Sequence, residues 1–285
     1  MSTFESRKRS RELNEKLIKL ALISAAAISI LTTFGILFSI LFEAIEFFKL
    51  RSFWYFITGA TWSPGVIGSQ FGALPIFAGT FVITIIALGV AIPVGLGSAI
   101  YMSEYASANI RDYLKPLLEI LAGIPTVVYG FFAAITVAPL VVQIAEFFGL
   151  EATFNSALAS GVVMGIMIIP VISSLSDDVI RAVPDSQRKA AFALGMTHGE
   201  TIKNIVLPSA MPGIISASLL GLSKALGETM IVVMAAGLRP NLSWNPLEDM
   251  TTVTVTIVNS LVGDFEFNSP ETLSAFALGL ILDRK

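Results

Sequence analysis

Two ionisable side chains lie inside a long apolar run in the last quarter of the chain. Lys224 and Glu228 are four residues apart in A-S-L-L-G-L-S-K-A-L-G-E-T-M-I-V-V-M, a spacing that places both on one face of a helix. Ionisable groups in a membrane-spanning helix are costly and by default mark a transport path or a relay. Ser223 and Thr229 add hydroxyl donors nearby. The four residues predict a polar site on a path through a membrane, and a self-satisfied ion pair facing a neighbouring helix is the structural alternative.

Other reactive side chains are scarce. Glu119 is a weaker candidate, near the end of another apolar run. The absence of cysteine excludes disulfides and thiolate metal sites. The one histidine, His198, cannot form a His-based metal site by itself, and we interpret it as a solvated loop residue. Because no Gly-rich phosphate loop of the Walker type is visible either, we predict no catalytic residue, no metal site and no cofactor on this chain.

The composition is that of a multi-pass membrane protein. The 285 residues are 54% hydrophobic and 14% charged, whereas a soluble domain has about 25% charged residues. The mean hydropathy is +0.79. A net charge of −3 points to no nucleic acid, and the expected surrounding is membrane lipid. The basic start precedes an apolar run at 17–42 that is longer than the ~7–15 residues of a signal peptide, so this run is interpreted as a retained first span.

An all-α bundle of six spans follows from the hydropathy. A helix needs about 20 apolar residues to cross a bilayer. We predict a tail at 1–16, a transmembrane domain at 17–285, spans at 17–42, 73–102, 113–142, 156–175 and 211–238, and an incomplete sixth span at 273–282. The last run covers only ~15 Å, half a bilayer, so we expect a truncated chain or a short terminal helix packed on the bundle. The segment 239–270 is interpreted as polar.

The basic residues of the loops predict the orientation. Lysine and arginine accumulate in cytoplasmic loops. The N-terminal segment and every second polar segment after it carry twelve such residues, and the alternate segments carry three. The N-terminus and the long loop at about 177–208 are therefore expected in the cytoplasm.

That long loop contains a helix-forming segment, K-A-A-F-A-L-G-M-T-H-G-E-T-I-K-N-I-V-L-P, at 189–208. Ala190, Ala191 and Gly195 are small residues at helical spacing, so we expect a stripe that another body can approach closely. Pro208 is expected to end the segment, because the residue before a proline disfavours helix. The segment is predicted to be a docking element, with an ordinary amphipathic loop helix as the alternative.

The same segment resembles the cytoplasmic loop of permease subunits of ATP-driven importers, the ABC transporters. That loop has the form E-A-A, three residues, G, nine residues, I-x-L-P. Matching positions here are Ala190, Ala191, Gly195, Ile205, Leu207 and Pro208, and Lys189 stands where the family usually has Glu. The resemblance implies that these residues form the coupling helix, which sits in a groove of a separate ATPase subunit.

Three further stretches resemble the phosphate-specific Pst permeases, and the G-E-T-M ending is similar to the PstC-type subunit. They are F-G-A-L-P-I-F-A-G-T at 71–80, E-I-L-A-G-I-P-T-V-V-Y-G at 119–130 and K-A-L-G-E-T-M at 224–230. The family usually has Arg at the position of Lys224, and Lys lacks the bidentate fork of Arg. The resemblance implies that Lys224 offsets phosphate charge, and that Glu228 holds Lys224 or handles a proton.

The resemblance also implies the type I ABC importer permease fold, a cell membrane location (plasma or inner) and a set of partners. These partners are a second homologous permease subunit, two ATPase subunits that hold ATP and Mg²⁺, and an extracytoplasmic phosphate-binding protein. The chain would be a transporter subunit and not an enzyme. Two alternatives remain: a permease for another oxyanion, such as sulfate or molybdate, and an ATP-independent channel or secondary carrier.

Overall fold

The computed structural model describes residues 2–65, 69–262 and 269–282, with side chains from Asn14 onward. The chain divides into two units. In the first unit, helix α1 (Ser2–Leu50) packs against a second helix at Pro270–Leu282. Helix α1 contains the predicted tail and the first span without interruption. The three residues after Leu282 lie outside the described residues.

The second unit, 53–264, contains the remaining elements. A short helix and a two-stranded antiparallel hairpin come first, and the rest is helical. The elements are α2 (Phe53–Thr58), β1 (Trp62–Ser63), β2 (Gln70–Phe71), α3 (Leu74–Ile100), α4 (Ala108–Gly123), α5 (Thr126–Phe132), α6 (Ala138–Phe147), α7 (Ala157–Arg181), α8 (Asp185–Ala193), α9 (His198–Thr201), α10 (Leu207–Leu226), α11 (Met230–Ala235) and α12 (Val253–Val262); the first unit's second helix is α13.

Small residues hold α3 and α7 together at the centre of this unit. A Cβ atom added at Gly165 of α7 would lie 2.8 Å from the carbonyl oxygen of Ala87 on α3, and one at Gly161 would lie 2.7 Å from Ile86. A Cβ atom added at Gly95 of α3 would likewise lie 3.0 Å from the Ile172 side chain of α7. Because helices in a membrane gain no hydrophobic driving force from each other, this backbone-close packing supplies the attraction.

Prolines explain two of the irregular turns in the helices. Proline has no N–H to donate and its ring crowds the carbonyl one turn earlier. A π-helical turn at Ala133–Val137 comes just before Pro139, and another at Ile202–Val206 comes just before Pro208. The chain remains helical through both, so Pro208 lies inside a helix of 29 residues, His198–Leu226. The expectation that Pro208 ends the docking segment is wrong.

Five helices in the described residues are long and apolar enough to cross a membrane, which confirms an all-α, multi-pass protein. They are Asn14–Leu50, Leu74–Tyr105, Thr126–Phe147, Ala157–Arg181 and His198–Leu226. The last run, α13, is a helix of 13 residues, shorter than these five.

The structure corrects three of the predicted boundaries. The third span is interrupted at Ile124 and Pro125, because the residue before a proline is pushed out of the helical region. The fifth span ends at Leu226 instead of 238. The segment interpreted as polar contains helix α12, whose Val253 and Val255 are buried.

Candidate functional site

The break after α10 separates the two predicted pathway residues. Helix α10 ends at Leu226 and α11 begins at Met230. Lys224 is therefore on the last turn of α10, partly buried, whereas Glu228 is in the connection, with 7% of its surface exposed. The expectation that both share one helical face is wrong. A spacing of four residues places two side chains on one face only if the helix is continuous, and here the helix ends between them.

Glu228 is used by the backbone of its own connection. Its Oε1 accepts a hydrogen bond from the Ile231 N–H at 3.2 Å, in the manner of a side chain capping a helix N-terminus. Its carbonyl oxygen accepts from the Thr254 hydroxyl at 2.7 Å. The carboxylate satisfies a donor that α11 leaves open, and α12 satisfies an acceptor that the break exposes.

Lys224 has a different environment. Within the described part of the chain it makes no ion pair, with Glu228 or with any other carboxylate. Ser223 beside it is exposed, and Thr229 is partly buried in the connection. The structure thus brings the four predicted pathway residues to one break in the helix and leaves the Lys224 ammonium group without an anion.

Threonines of the segment before and within α12 border this break, and sequence reasoning missed them. The Thr252 and Thr254 hydroxyls are 3.1 Å apart. The Thr80 hydroxyl of α3 accepts from the Val253 N–H at 3.0 Å. A Cβ at Gly79 would lie 2.2 Å from the Thr251 carbonyl oxygen, so α3 holds this segment closely. The apolar V-T-V-T-I-V pattern at 253–258 was the available signal.

Two ion pairs join α4 to α7 near the C-terminal end of α7. The Arg111 guanidinium donates to the buried Asp177 at 2.9 Å, and Lys115 lies 2.5 Å from Asp178. None of the residues of α4, all of which are described, is buried. Glu119 is exposed on this helix, which ends before the span Thr126–Phe147 begins, so the predicted place of Glu119 inside an unbroken third span is wrong.

The docking segment is two helices and not one. Helix α8 ends at Ala193, and Gly195 follows with φ +83°. The Met196 N–H bonds the Ala191 carbonyl at 3.1 Å and the Gly195 N–H bonds that of Phe192 at 3.0 Å, the pattern of a Schellman motif with glycine after the helix end. The expected bare stripe is therefore wrong: Ala191 is buried, and Gly195 lies beyond the helix.

A cavity of about 540 Å³ gathers most of the predicted docking residues. It lies between α8 and the start of the helix His198–Leu226. Four of the six predicted residues line it, namely Ala190, Ala191, Ile205 and Pro208. Leu207 instead packs against the apolar cluster around Val206 and Ala210. The loop thus presents a concave, largely apolar surface to its surroundings.

The loop between α11 and α12 is held by one carboxylate. Glu248 accepts from the amide nitrogens of Asn241 at 2.9 Å and Asn245 at 3.1 Å. The Ser243 hydroxyl and the two amides hold the pKa of Glu248 below its ordinary value, because they stabilise the ionised form. This order fixes the loop backbone, whose Glu248 carbonyl oxygen accepts from the Ala157 N–H at the start of α7.

Comparison with known proteins gives consistent results. Residues 91–281 match the family described as binding-protein-dependent transport system inner membrane component. The probable ABC transporter permease protein YqgH of Bacillus subtilis is 32% identical, over 97% of this chain and 89% of its own. The phosphate transport system permease protein PstC of Mesorhizobium japonicum is 34% identical, over 90% and 82% respectively. The phosphate transport system permease protein PstC 1 of Mycobacterium tuberculosis is 33% identical, over 77% of this chain and 73% of its own.

Among solved structures, the MetNI methionine ABC transporter in an inward-facing conformation contains a similar chain. The TM-score is 0.51 at 18% sequence identity, over 74% of this chain and 91% of that one. At this identity the likeness concerns the fold, and it supports the predicted architecture.

Proposed function

Because the chain belongs to the family of binding-protein-dependent transport system inner membrane components, and is thus an ABC importer permease, we propose that its solute is inorganic phosphate. The observation that carries this proposal is the likeness to several permeases named for phosphate transport. Lys224, which has no carboxylate partner among the described residues and lies at a break in a span, supports it, since an anion in transit needs a compensating charge.

Within this proposal, Lys224 offsets the charge of the phosphate as it passes the break. Glu228 holds the connection between α10 and α11 through its bond to Ile231. The chain forms the translocation path together with a second, similar permease. An extracytoplasmic phosphate-binding protein delivers the solute.

The cytoplasmic loop supplies the energy coupling in this proposal. The cavity lined by Ala190, Ala191, Ile205 and Pro208 receives part of an ATPase subunit. Two such subunits bind and hydrolyse ATP with Mg²⁺, and their closing and opening moves α8 and switches the path between its two sides. The N-terminus and this loop lie on the cytoplasmic side.

The test is reconstitution of the chain in vesicles with the second permease, the ATPase and the binding protein. We expect ATP-dependent uptake of radiolabelled phosphate that unlabelled sulfate and molybdate do not inhibit. Inhibition by sulfate or molybdate at equal concentration would assign another oxyanion. Uptake without ATP would indicate a channel or a secondary carrier and contradict the proposal.

A further inference from the structure

One arginine ties the docking helix α8 to the ends of two membrane-spanning helices. Arg188 lies in the second turn of α8, and 16% of its side chain is exposed. Its Nη2 donates to Glu104 Oε1 at 2.8 Å and to the Ile180 carbonyl oxygen at 3.0 Å, and its Nη1 donates to the Val183 carbonyl oxygen. A single guanidinium thus serves acceptors from two different helices.

The acceptors lie where each long helix ends. Glu104, with 6% of its side chain exposed, is in the π-helical turn Tyr101–Tyr105 that continues α3. Ile180 belongs to the last turn of α7, and Val183 follows that helix. Carbonyl groups at a helix C-terminus lack partners within the helix and carry partial negative charge, so a cation is favoured there.

A ring contact reinforces the same junction. The His198 imidazole lies edge-on to Tyr105, with ring centroids 5.2 Å apart, and stacks on Phe192 of α8 at 6.3 Å. Its Nε2 is 3.2 Å from the Glu104 carbonyl oxygen. His198 is exposed, as expected of a solvated residue, but it begins helix α9 and does not lie in a loop. The end of α3 therefore meets α8 directly through Glu104, and indirectly through Tyr105 and the His198 ring.

Helix α8 has few other contacts: three residues join it to α7, and the Ser209 hydroxyl of α10 donates to Gln187 Oε1 at 3.0 Å. Ala191 is the one buried residue among the nine of α8, all of which lie in the described part of the chain. Helices α3 and α7, in contrast, are packed backbone-close through Gly95, Gly161 and Gly165. Among the side chains of α8, Arg188 is the one that bonds both the end of α3 and the end of α7 directly, so a movement imposed on α8 reaches this closely packed pair through it.

We propose that Arg188 is the positioning residue that transmits movement of the docking helix to α3 and α7. This proposal rests on the proposed role of the loop as the ATPase docking site. Arginine suits the task because its planar fork presents several donors in fixed directions, whereas lysine is a point charge on a flexible stem. Arg188→Met should leave Glu104 buried without its cation, and the junction should lose its direct link.

The experiment uses the reconstituted complex of permeases, ATPase and binding protein. It measures three quantities: the ATPase retained on purification, basal ATP hydrolysis, and the stimulation of hydrolysis and uptake by phosphate-loaded binding protein. For Arg188→Met we expect the ATPase to be retained and basal hydrolysis to persist. Stimulation and uptake should both fall about tenfold, which lies within the ~5–150-fold range of coupling between distant sites.

Arg181→Met is the matched control. Arg181 is exposed at the end of α7 and makes no ion pair within the described residues. Together with Arg188 and Glu104 it lines a second cavity, of about 370 Å³. Arg181→Met should keep wild-type stimulation. Arg188→Lys and Glu104→Gln preserve part of the junction, and both should give intermediate stimulation at normal levels of assembled complex, which keeps the proposal testable if Arg188→Met fails to assemble.

Two results would overturn the role of Arg188. Wild-type stimulation in Arg188→Met would show that the link carries no movement. Loss of the ATPase from Arg188→Met, Arg188→Lys and Glu104→Gln, in proportion to the uptake that each loses, would show that Arg188 only shapes the docking surface. If the wild-type complex takes up a different anion with ATP, the phosphate proposal fails. The role of Arg188 is then tested in the same way, by the stimulation of ATP hydrolysis that the binding protein loaded with that anion produces.

Discussion

Lys224 and Glu228 have different surroundings because a helix ends between them. Glu228 already has a backbone partner in the Ile231 N–H, and it lies in the connection that the Thr254 hydroxyl also binds. Lys224 has no carboxylate partner in the described chain. These contacts are the basis of the proposed roles, charge compensation for Lys224 and positioning of the break for Glu228, and substitutions at each residue test them.

Substitutions at Lys224 test its place on the transport path. Lys224→Met should lower phosphate uptake by roughly 100-fold, since ~3 kcal/mol is at stake for a charge at the membrane centre. Lys224→Arg should retain much of the uptake because the charge remains. The double variant Lys224→Met with Glu228→Gln should not recover it. Uptake is measured with membrane abundance as the control, and recovery in the double variant would mean that the two residues are only scaffolding.

Substitutions at Glu228 separate its charge from its hydrogen bond. Glu228→Gln keeps an oxygen that can accept from the Ile231 N–H, whereas Glu228→Leu removes the cap, at a cost of about 1 kcal/mol. Uptake should therefore persist in the Gln variant and fall in the Leu variant. Equal loss in both, at equal abundance, would assign a role to the negative charge, such as proton handling.

Gly195 is required for its backbone conformation and not for a bare surface. Its φ of +83° is in the left-handed region, and a Cβ there would meet no atom within 4 Å. Gly195→Ala should lower uptake and ATPase stimulation together, with a conformational cost of about 1–2 kcal/mol. Gly195→Asn should be milder, since Asn tolerates this region.

Gly199→Ala is the control for this prediction. Gly199 also has open space around its Cβ position, and it lies in the short helix α9. It should behave as wild type in uptake and stimulation. If Gly195→Ala were equally silent, the end of α8 would not need its left-handed residue.

The sequence was informative about these residues to different degrees. The motif spacing predicted four of the residues that line the cavity of the docking loop. It could not predict that α8 stops at Ala193, because helix ends depend on hydrogen bonds such as Met196 N–H to Ala191, which spacing does not show. Arg188 was counted only as a basic residue, since its partner Glu104 is 84 residues away in the chain.

At the scale of elements, α3 and α7 form the most extensively packed helix pair among the described residues. Gly165→Ala should destabilise the protein by ~1–3 kcal/mol, because the added Cβ would lie 2.8 Å from a backbone oxygen that cannot move by itself. Gly89→Ala on α3, where nothing lies within 4 Å, should be neutral or slightly stabilising. The thermal unfolding midpoint in detergent measures both, and similar midpoints would contradict close packing at Gly165.

Hydropathy predicted which segments enter the membrane but not where they break. Hydropathy averaged over about 20 residues changes little when two or three of them leave the helix, as at Ile124–Pro125 or Gly227–Thr229. The proline at 125 was visible, and its effect on Ile124 follows from sterics. The break at 227–229 depends on α12, which binds the Glu228 carbonyl oxygen through Thr254. Long-range contacts of this kind have no local sequence signal.

At the scale of the whole molecule, the membrane-spanning helices leave many of their apolar side chains exposed. Leu219 and Ile215 of α10 and Phe81 and Ile85 of α3 are all more than half exposed. A soluble protein would bury more of such residues, but membrane lipid covers them at little cost. The fold is therefore complete only in a membrane, and its orientation there is the remaining prediction.

The distribution of lysine and arginine predicts that the loop with α8 faces the cytoplasm. The absence of cysteine in the chain allows a direct test, because each introduced cysteine is the only thiol. Glu151 and Ser186 are exposed on either side of α7. That helix has 25 residues, about 38 Å at the usual rise, which exceeds the ~30 Å of a bilayer core. The two positions must therefore lie on opposite sides.

In intact cells, a membrane-impermeant maleimide should label Glu151→Cys and not Ser186→Cys, and in inside-out vesicles the pattern should reverse. Labelling of Ser186→Cys in intact cells would place the docking loop outside, where no ATP-hydrolysing partner could reach it.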